Sequence, residues 1–425
     1  MQLGITAHYI DENFVMYSHL LAFERFAGAQ DGANMANLVM KVLKEYNIAE
    51  KLFCITTDNA TNNDTMASYL ELKLDEEFGV KWDQETQHLY CLAHVINLVV
   101  NDFLDYIRDK TTDCKHILAN IRTIAVATRR STRRWERFQD ACKESSMKPV
   151  SIPLDTDVRW NSTYRMLQRA IYLRKPIQRF VEEINGLKDT TEPLPKLSNS
   201  DWDMAETLWL ILMPFYRCTM RFEGYEDEPD VEYVFWAYET MFNFVDDLEA
   251  LLRERTSGSG RIPSAKTLLE ALGDMRLKLK KYYGKQSNSA AIYYDAMLLN
   301  PRCKGVLMEL ESWQDVDVDK CISESRARFM EQHGRDRESR EEVVDAAQND
   351  SKGEPAKAGI KRRRIDPAFD EKVAKRARQT NGNDFDRWLA EPQDLQAESI
   401  LGHWREGGHR YGYHQRRLMI IDFQC

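Results

Sequence analysis

The strongest constraint on what this chain can fold into is a short apolar run, Leu52-Phe53-Cys54-Ile55. It passes through Thr56-Thr57 into Asp58 and then at once into Asn59-Ala60-Thr61-Asn62-Asn63-Asp64. β-Branched and aromatic residues followed by small polar turn formers read as a strand that stops at a lone carboxylate. α/β sheets build their sites at the C-terminal ends of strands, so the run points to a sheet with an acid at its edge. Upstream, Gly4–Ile10 and Phe14–Leu21 are β-rich stretches split by the turn chemistry of Asp11-Glu12-Asn13, an antiparallel hairpin by pattern. Between hairpin and third strand, Met35, Leu38, Val39, Val42, Leu43 and Tyr46 recur at the spacing of an amphipathic helix.

Composition narrows the class. With 425 residues the chain holds more than one structural unit, and 43% hydrophobic with 30% charged residues is ordinary for a globular protein. A net charge of −9 argues against a surface that coats nucleic acid everywhere, so any such contact rests on local basic patches. The expectation is a protein neither secreted nor membrane-inserted, since no apolar run approaches a membrane span and no leader pattern opens the sequence. The eight cysteines (Cys54, Cys91, Cys114, Cys142, Cys218, Cys303, Cys321, Cys425) form no CxxC pair. They read as reduced intracellular thiols, with no structural zinc and no intact CxxC…H finger.

Several residues carry two readings each. Asp58 is placed either to ligand a divalent cation or to cap the helix that follows, and Asp64 reads as a helix-start residue. His88, Cys91 and His94, spaced i, i+3, i+6, make a poor zinc cage and read as core. Trp160, preceded by Arg159, reads as a core tryptophan at a helix start. Arg129, Arg130, Arg133 and Arg134, with Trp135 between them and Arg137, are a phosphate-tracking cluster or a solvated helix end. From about 112 to 330 the pattern is helical, with periodic apolar residues over Trp202–Met220, Val231–Arg255 and Ala265–Tyr283. Residues 333–383 are polar and read as a disordered linker. Within it Lys361, Arg362, Arg363 and Arg364, then Lys372, Lys375, Arg376 and Arg378, read as a bipartite nuclear import signal, a solvated charge run or an electrostatic DNA tether.

Three blocks taken in order, Ile55–Asp64, His88–Leu98 and Asp157–Thr163, resemble the catalytic half of a hobo/Activator-type (hAT) DNA transposase. The resemblance runs from Leu3 to about Tyr411. It implies an α/β RNase H-like domain, incomplete here, interrupted by a large all-α region, α-rich overall. The corresponding divisions are an RNase H-like core at 1–110, a helical insertion at 111–332, the linker at 333–383 and the start of a dimerisation region at 384–425. It further implies that Asp58 is the second catalytic acid and ligands Mg2+ or Mn2+. Cys91 and His94 would approach the DNA phosphate, and Trp160 would stack on a base flipped out beside Arg159. The parent reaction is metal-dependent cleavage at transposon ends followed by strand transfer, with DNA as partner, a nuclear location, no membrane and a homo-oligomeric state.

Departures from the family pattern shape the expectation. The strand that carries the first acid in such enzymes would precede the Gly4 hairpin, and its absence would leave the Gly4–Ile10 and Leu52–Thr57 strands each with an unpaired edge, or badly paired with each other. The Ser-Glu-Arg-x-Phe-Ser block that supplies the last acid does not occur, and Asn300-Pro301-Arg302 stands where the family has Asp-Pro-Arg. The reading is therefore a DNA-binding, transposase-like nuclear protein with one of three acids, the family's Mg2+ or Mn2+ not productively bound, and a weakened dimer surface. A captured, non-enzymatic nuclear factor that binds DNA or protein, and an inert relic or gene fragment, are the competing readings.

Overall fold

A computed structural model describes residues 2–11, 13–25, 31–110, 115–156, 159–188, 192–222, 231–254, 264–286, 290–302, 304, 318–330, 384–391, 393–394, 399–407 and 419–424. The described residues are helix-rich with one small sheet, and the chain divides into two units. The linker basic residues Lys361, Arg362, Arg363, Arg364, Lys372, Lys375, Arg376 and Arg378 lie outside the described residues.

The first unit comprises residues 1–90, 228–236 and 286–425. Its elements begin with β1 (Gln2–Ile10), β2 (Met16–Arg25), α1 (Gly32–Glu45), β3 (Leu52–Thr57), α2 (Thr61–Phe78), α3 (Gln84–Gln87) and β4 (His88–Tyr90). The hairpin, the amphipathic helix and the acid-tipped strand stand where the pattern of residues puts them. His88 belongs to a strand rather than a helix, so the i, i+3, i+6 spacing does not describe one helical surface.

The sheet order is β2-β1-β5-β3-β4, where β5 is Met419–Gln424. β5 runs antiparallel to β1, with Ala7 opposite Ile421, and parallel to β3, with Ile55 opposite Ile421. The unpaired edges expected of β1 and β3 are thus both occupied. Ladder hydrogen bonding requires an extended segment of suitable residues at that place, and it does not require the segment to be near in sequence. Met-Ile-Ile-Asp-Phe-Gln supplies β-branched and aromatic residues in such a segment.

One core joins this sheet to α1 and α2. Leu3, Ile5 and Ala7 alternate along β1 and pack with Met35, Val39 and Leu43 of α1 and Met66, Leu70 and Leu74 of α2. The α1–α2 approach depends on Gly32, where an added Cβ would lie 2.5 Å from the Met66 nitrogen and 2.6 Å from Thr65 Cβ. Asp31 caps α1 by accepting from Asn34 N at 2.8 Å, and Gly79 ends α2 at φ +67°.

Later segments of the same unit are α12 (Ala290–Leu299), α13 (318–330), α14 (Asp384–Ala390) and α15 (Ile400–Gly407). Trp388 Nε1 donates to Leu298 O at 2.9 Å and Trp404 Nε1 to Leu299 O at 3.1 Å, and the two indole rings lie 4.4 Å apart. Asn300 is buried and its Oδ1 accepts from Arg302 N at 2.9 Å, which turns the chain at the end of α12. Asparagine makes this local bond without a charge.

The second unit, residues 91–227 and 237–285, is helical. It contains α4 (Leu92–Lys110), α5 (Lys115–Arg129), α6 (Thr132–Glu144), α7 (Asn161–Tyr172), α8 (Arg174–Asn185), α9 (Asn199–Phe222), most of α10 (Val234–Glu254) and most of α11 (Ala265–Gln286). Phe103, Phe138, Trp160, Phe180, Trp202 and Phe215 are fully buried there, the large apolar surfaces that hold such bundles together. Among the described residues no helix is long and apolar enough to cross a membrane.

Candidate functional site

Asp58 follows directly on β3 and is half-buried. Its Oδ1 accepts from Ala60 N at 2.9 Å and from Asn63 Nδ2 at 2.7 Å. The first is the turn bond that starts α2, whose N-cap residue Ala60 offers no side-chain acceptor of its own. Oδ1 thus serves the helix start, the capping reading of Asp58, while Oδ2 makes no hydrogen bond among the described residues. The positive end of α2 favours the carboxylate here.

Around it the strand ends are tied together. Thr57 Oγ1 donates to Asp58 O at 2.8 Å, and a hydroxyl has one proton. The 2.7 Å bond between Thr57 Oγ1 and His88 Nε2 is therefore donated by the histidine. His88 and Thr57 are both buried, so this bond fixes β4 against β3. Asp64 lies in the first turn of α2 and accepts from Tyr90 OH at 2.7 Å; burial, followed by this bond, pushes the Tyr90 phenol well above its usual range. Beside Asp58, both amide atoms of Asn59 and the Oδ1 of Asn63 are buried without a partner. Asn63 is a residue that pattern reading passed over; its signal was its place five residues after the strand-end acid.

The donor set here is hard oxygen: a carboxylate and uncharged amide oxygens, the type that suits Mg2+ or Mn2+. It includes one carboxylate, and among the described residues no group of three or more His, Cys, Asp or Glu is gathered to hold a metal. The backbone of β5 sets Asp422 in register with Thr56 on one side and Thr6 on the other.

In the helical unit, Cys91 precedes α4 and its carbonyl accepts from Val95 N at 3.1 Å; Cys91 and His94 are half-buried. Arg159 is exposed, whereas Trp160 is 1% exposed with its ring edge-on to Tyr216 at 6.3 Å. Trp160 thus packs as core, and stacking on a base would require the start of α7 to open. Asp155 was not singled out by pattern; it is buried and held by Arg122, with Arg108 at 3.9 Å.

The arginine cluster spans the junction of α5 and α6. Arg129 ends α5 and donates to Ile152 O, while Arg130 pairs with Glu192 at 3.2 Å on an exposed surface, a contact of small energetic weight. Arg133 is exposed, and Arg134 is half-buried. Both lie in the first turn of α6, which Ser131 caps and which contains no acidic residue. Both cations thus sit at the positive pole of α6, a position the helix dipole does not favour.

Residues 2–84 match the ZBED1 RNase-like domain and residues 89–210 the ZBED1 RNase-like helical domain. Among curated relatives, "Putative transcriptional regulator tpeD" of Talaromyces stipitatus is 28% identical over 59% of this chain and 31% of its own length. "Putative AC transposase" of Zea mays is 27% identical over 52% of this chain and 26% of its own. "Zinc finger BED domain-containing protein DAYSLEEPER" of Arabidopsis thaliana is 24% identical over 72% of this chain and 40% of its own. The chain thus spans less than half the length of these relatives. It is similar to hAT transposases, through a stretch that matches an RNase-like domain and one that matches an RNase-like helical domain.

Proposed function

We propose that this chain is a nuclear DNA-binding protein of transposase descent. In this reading the α5–α6 junction takes the phosphate backbone, Asp58 takes a divalent cation, and the chain alone does not cleave DNA. The observation that carries the binding role is the set of arginines at the α6 N-terminus, where like charges meet and a phosphate relieves them. The names of the relatives, a transposase and a transcriptional regulator, are consistent with a DNA partner and a nuclear setting.

At the other site, Asp58 Oδ2, with the amide oxygen of the adjacent Asn59, is the group that would hold Mg2+ or Mn2+. A bound cation supplies positive charge and an activated water at a phosphate. Cys91 and His94, at the start of α4 in the helical unit, are assigned to contact with DNA phosphate. Paired-cation cleavage needs several carboxylates, and Asp58 is one, which is why binding without independent cleavage is the favoured activity. The linker basic residues supply nuclear import in the same reading.

The test is fluorescence anisotropy of the whole chain on duplex DNA between 50 and 200 mM salt. Affinity should fall steeply with salt, and changing Arg129, Arg130, Arg133 and Arg134 to Ala should flatten the slope by about 0.9 per lost phosphate contact. Absent or salt-insensitive binding would sink the DNA role. Cleavage of DNA with Mg2+ that disappears in Asp58→Ala would overturn the claim that the chain does not cut.

A further inference from the structure

We propose that Asn63 is the positioning residue of Asp58, locking Oδ1 so that Oδ2 is the oxygen presented to a hydrated divalent cation; this rests on the cation role just assigned to Asp58. Asn63 is 2% exposed, and its Nδ2 donates twice to the same residue, to Asp58 Oδ1 at 2.7 Å and Asp58 O at 3.2 Å. Its own backbone nitrogen bonds to Ala60 O at 2.9 Å, so the side chain issues from an ordered first turn of α2. A carboxylate on a turn has a free χ2, and two donors on one oxygen remove that freedom. Thr57 Oγ1 holds the Asp58 backbone carbonyl from the strand side and is itself bonded to His88 Nε2. The carboxylate is thus fixed from the helix side, by Ala60 N and Asn63 Nδ2.

Asn63 spends its amide nitrogen on this task and leaves its amide oxygen buried without a partner, an arrangement costly unless something else satisfies it. The unpartnered amide of Asn59 lies in the same turn. An uncharged residue suits the role, because a second carboxylate at position 63 would repel Asp58 and could not donate to it. Groups that orient a ligand in this way typically contribute tenfold to a hundredfold in metal affinity.

The experiment titrates the whole chain with Mn2+ alone, following free Mn2+ by electron paramagnetic resonance and the thermal midpoint with and without the ion. The variants are Asp58→Asn, Asn63→Ala and Asn63→Leu, the last retaining buried volume and helix propensity should the alanine variant fail to fold. The expected result is Mn2+ binding lost in Asp58→Asn and weakened roughly tenfold or more in both Asn63 variants. Their Mn2+-induced rise in thermal midpoint should shrink with it, while a purely structural role would lower the midpoint equally with and without the ion. Binding abolished by Asp58→Asn but unchanged in a folded Asn63 variant overturns this inference and leaves the cation role standing. No Mn2+ binding by the unaltered chain, or binding that survives Asp58→Asn, overturns the cation role and the inference with it.

Discussion

At the scale of single residues, position in the fold separates side chains whose local sequences look alike. Trp160 and Trp135 both sit beside arginines near helix starts, yet Trp160 is 1% exposed and Trp135 is half-buried. Truncating a buried tryptophan removes its transfer free energy and leaves a cavity, so Trp160→Ala should cost about 3–5 kcal/mol, read from urea unfolding of the helical unit. An unchanged midpoint would return Trp160 to the role of an exposed stacking surface. Among the thiols, burial pushes Cys218 up to about 11 and Cys54 higher still, so these two are inert at neutral pH. Asp58 was legible from its strand and turn alone. The division of labour between its two oxygens was not, because Asn63 acts across a helical turn whose geometry no spacing rule specifies.

At the scale of elements, α12 and α14 are joined at Lys304, which follows the end of α12. Its Nζ donates to Trp388 O at 2.8 Å and Glu391 O at 3.3 Å, and lies 3.6 Å from the Trp388 ring centroid. Burial pushes the amine down from 10.5 to about 8, partly opposed by the charges of Glu391 and Asp394. Below pH 8 the lysine is charged in folded and unfolded chains alike, and the folded state bears the cost of burying it. Between pH 8 and 10.5 the unfolded chain holds the proton more tightly, so stability rises with pH across that window. Urea midpoints at pH 7, 8.5 and 10 should rise in the unaltered chain relative to Lys304→Met, in which that rise is absent; parallel profiles would refute the assignment. The helices themselves follow closely from apolar spacing, since α1, α9, α10 and α11 stand within a few residues of the periodic runs. Their joining through one lysine and two tryptophans could not be read, because Lys304 and Trp388 are 84 residues apart.

At the scale of the molecule, the decisive fact is that β5 lies between β1 and β3. A central strand has neighbours on both sides, and proline there removes a donor and distorts the ladder. Ile421→Pro should therefore expose the amides of β1 and β3 together in hydrogen exchange, while those of α4 to α9 remain protected. Protection retained in β1 and β3 would show that the sheet closes without β5. The sequence by itself determined the local elements: the hairpin, the strand ending at Asp58, the periodic helices and the three blocks that mark a transposase-like chain. Each follows from side-chain alternation, helical period or turn chemistry within a few residues. Only the tertiary structure decided which strand fills the middle of the sheet, which oxygen of Asp58 is left open, and that Trp160 is core. Those outcomes depend on hydrogen bonds and packing between residues brought together by the fold, and neighbouring residues in the chain hold no record of them.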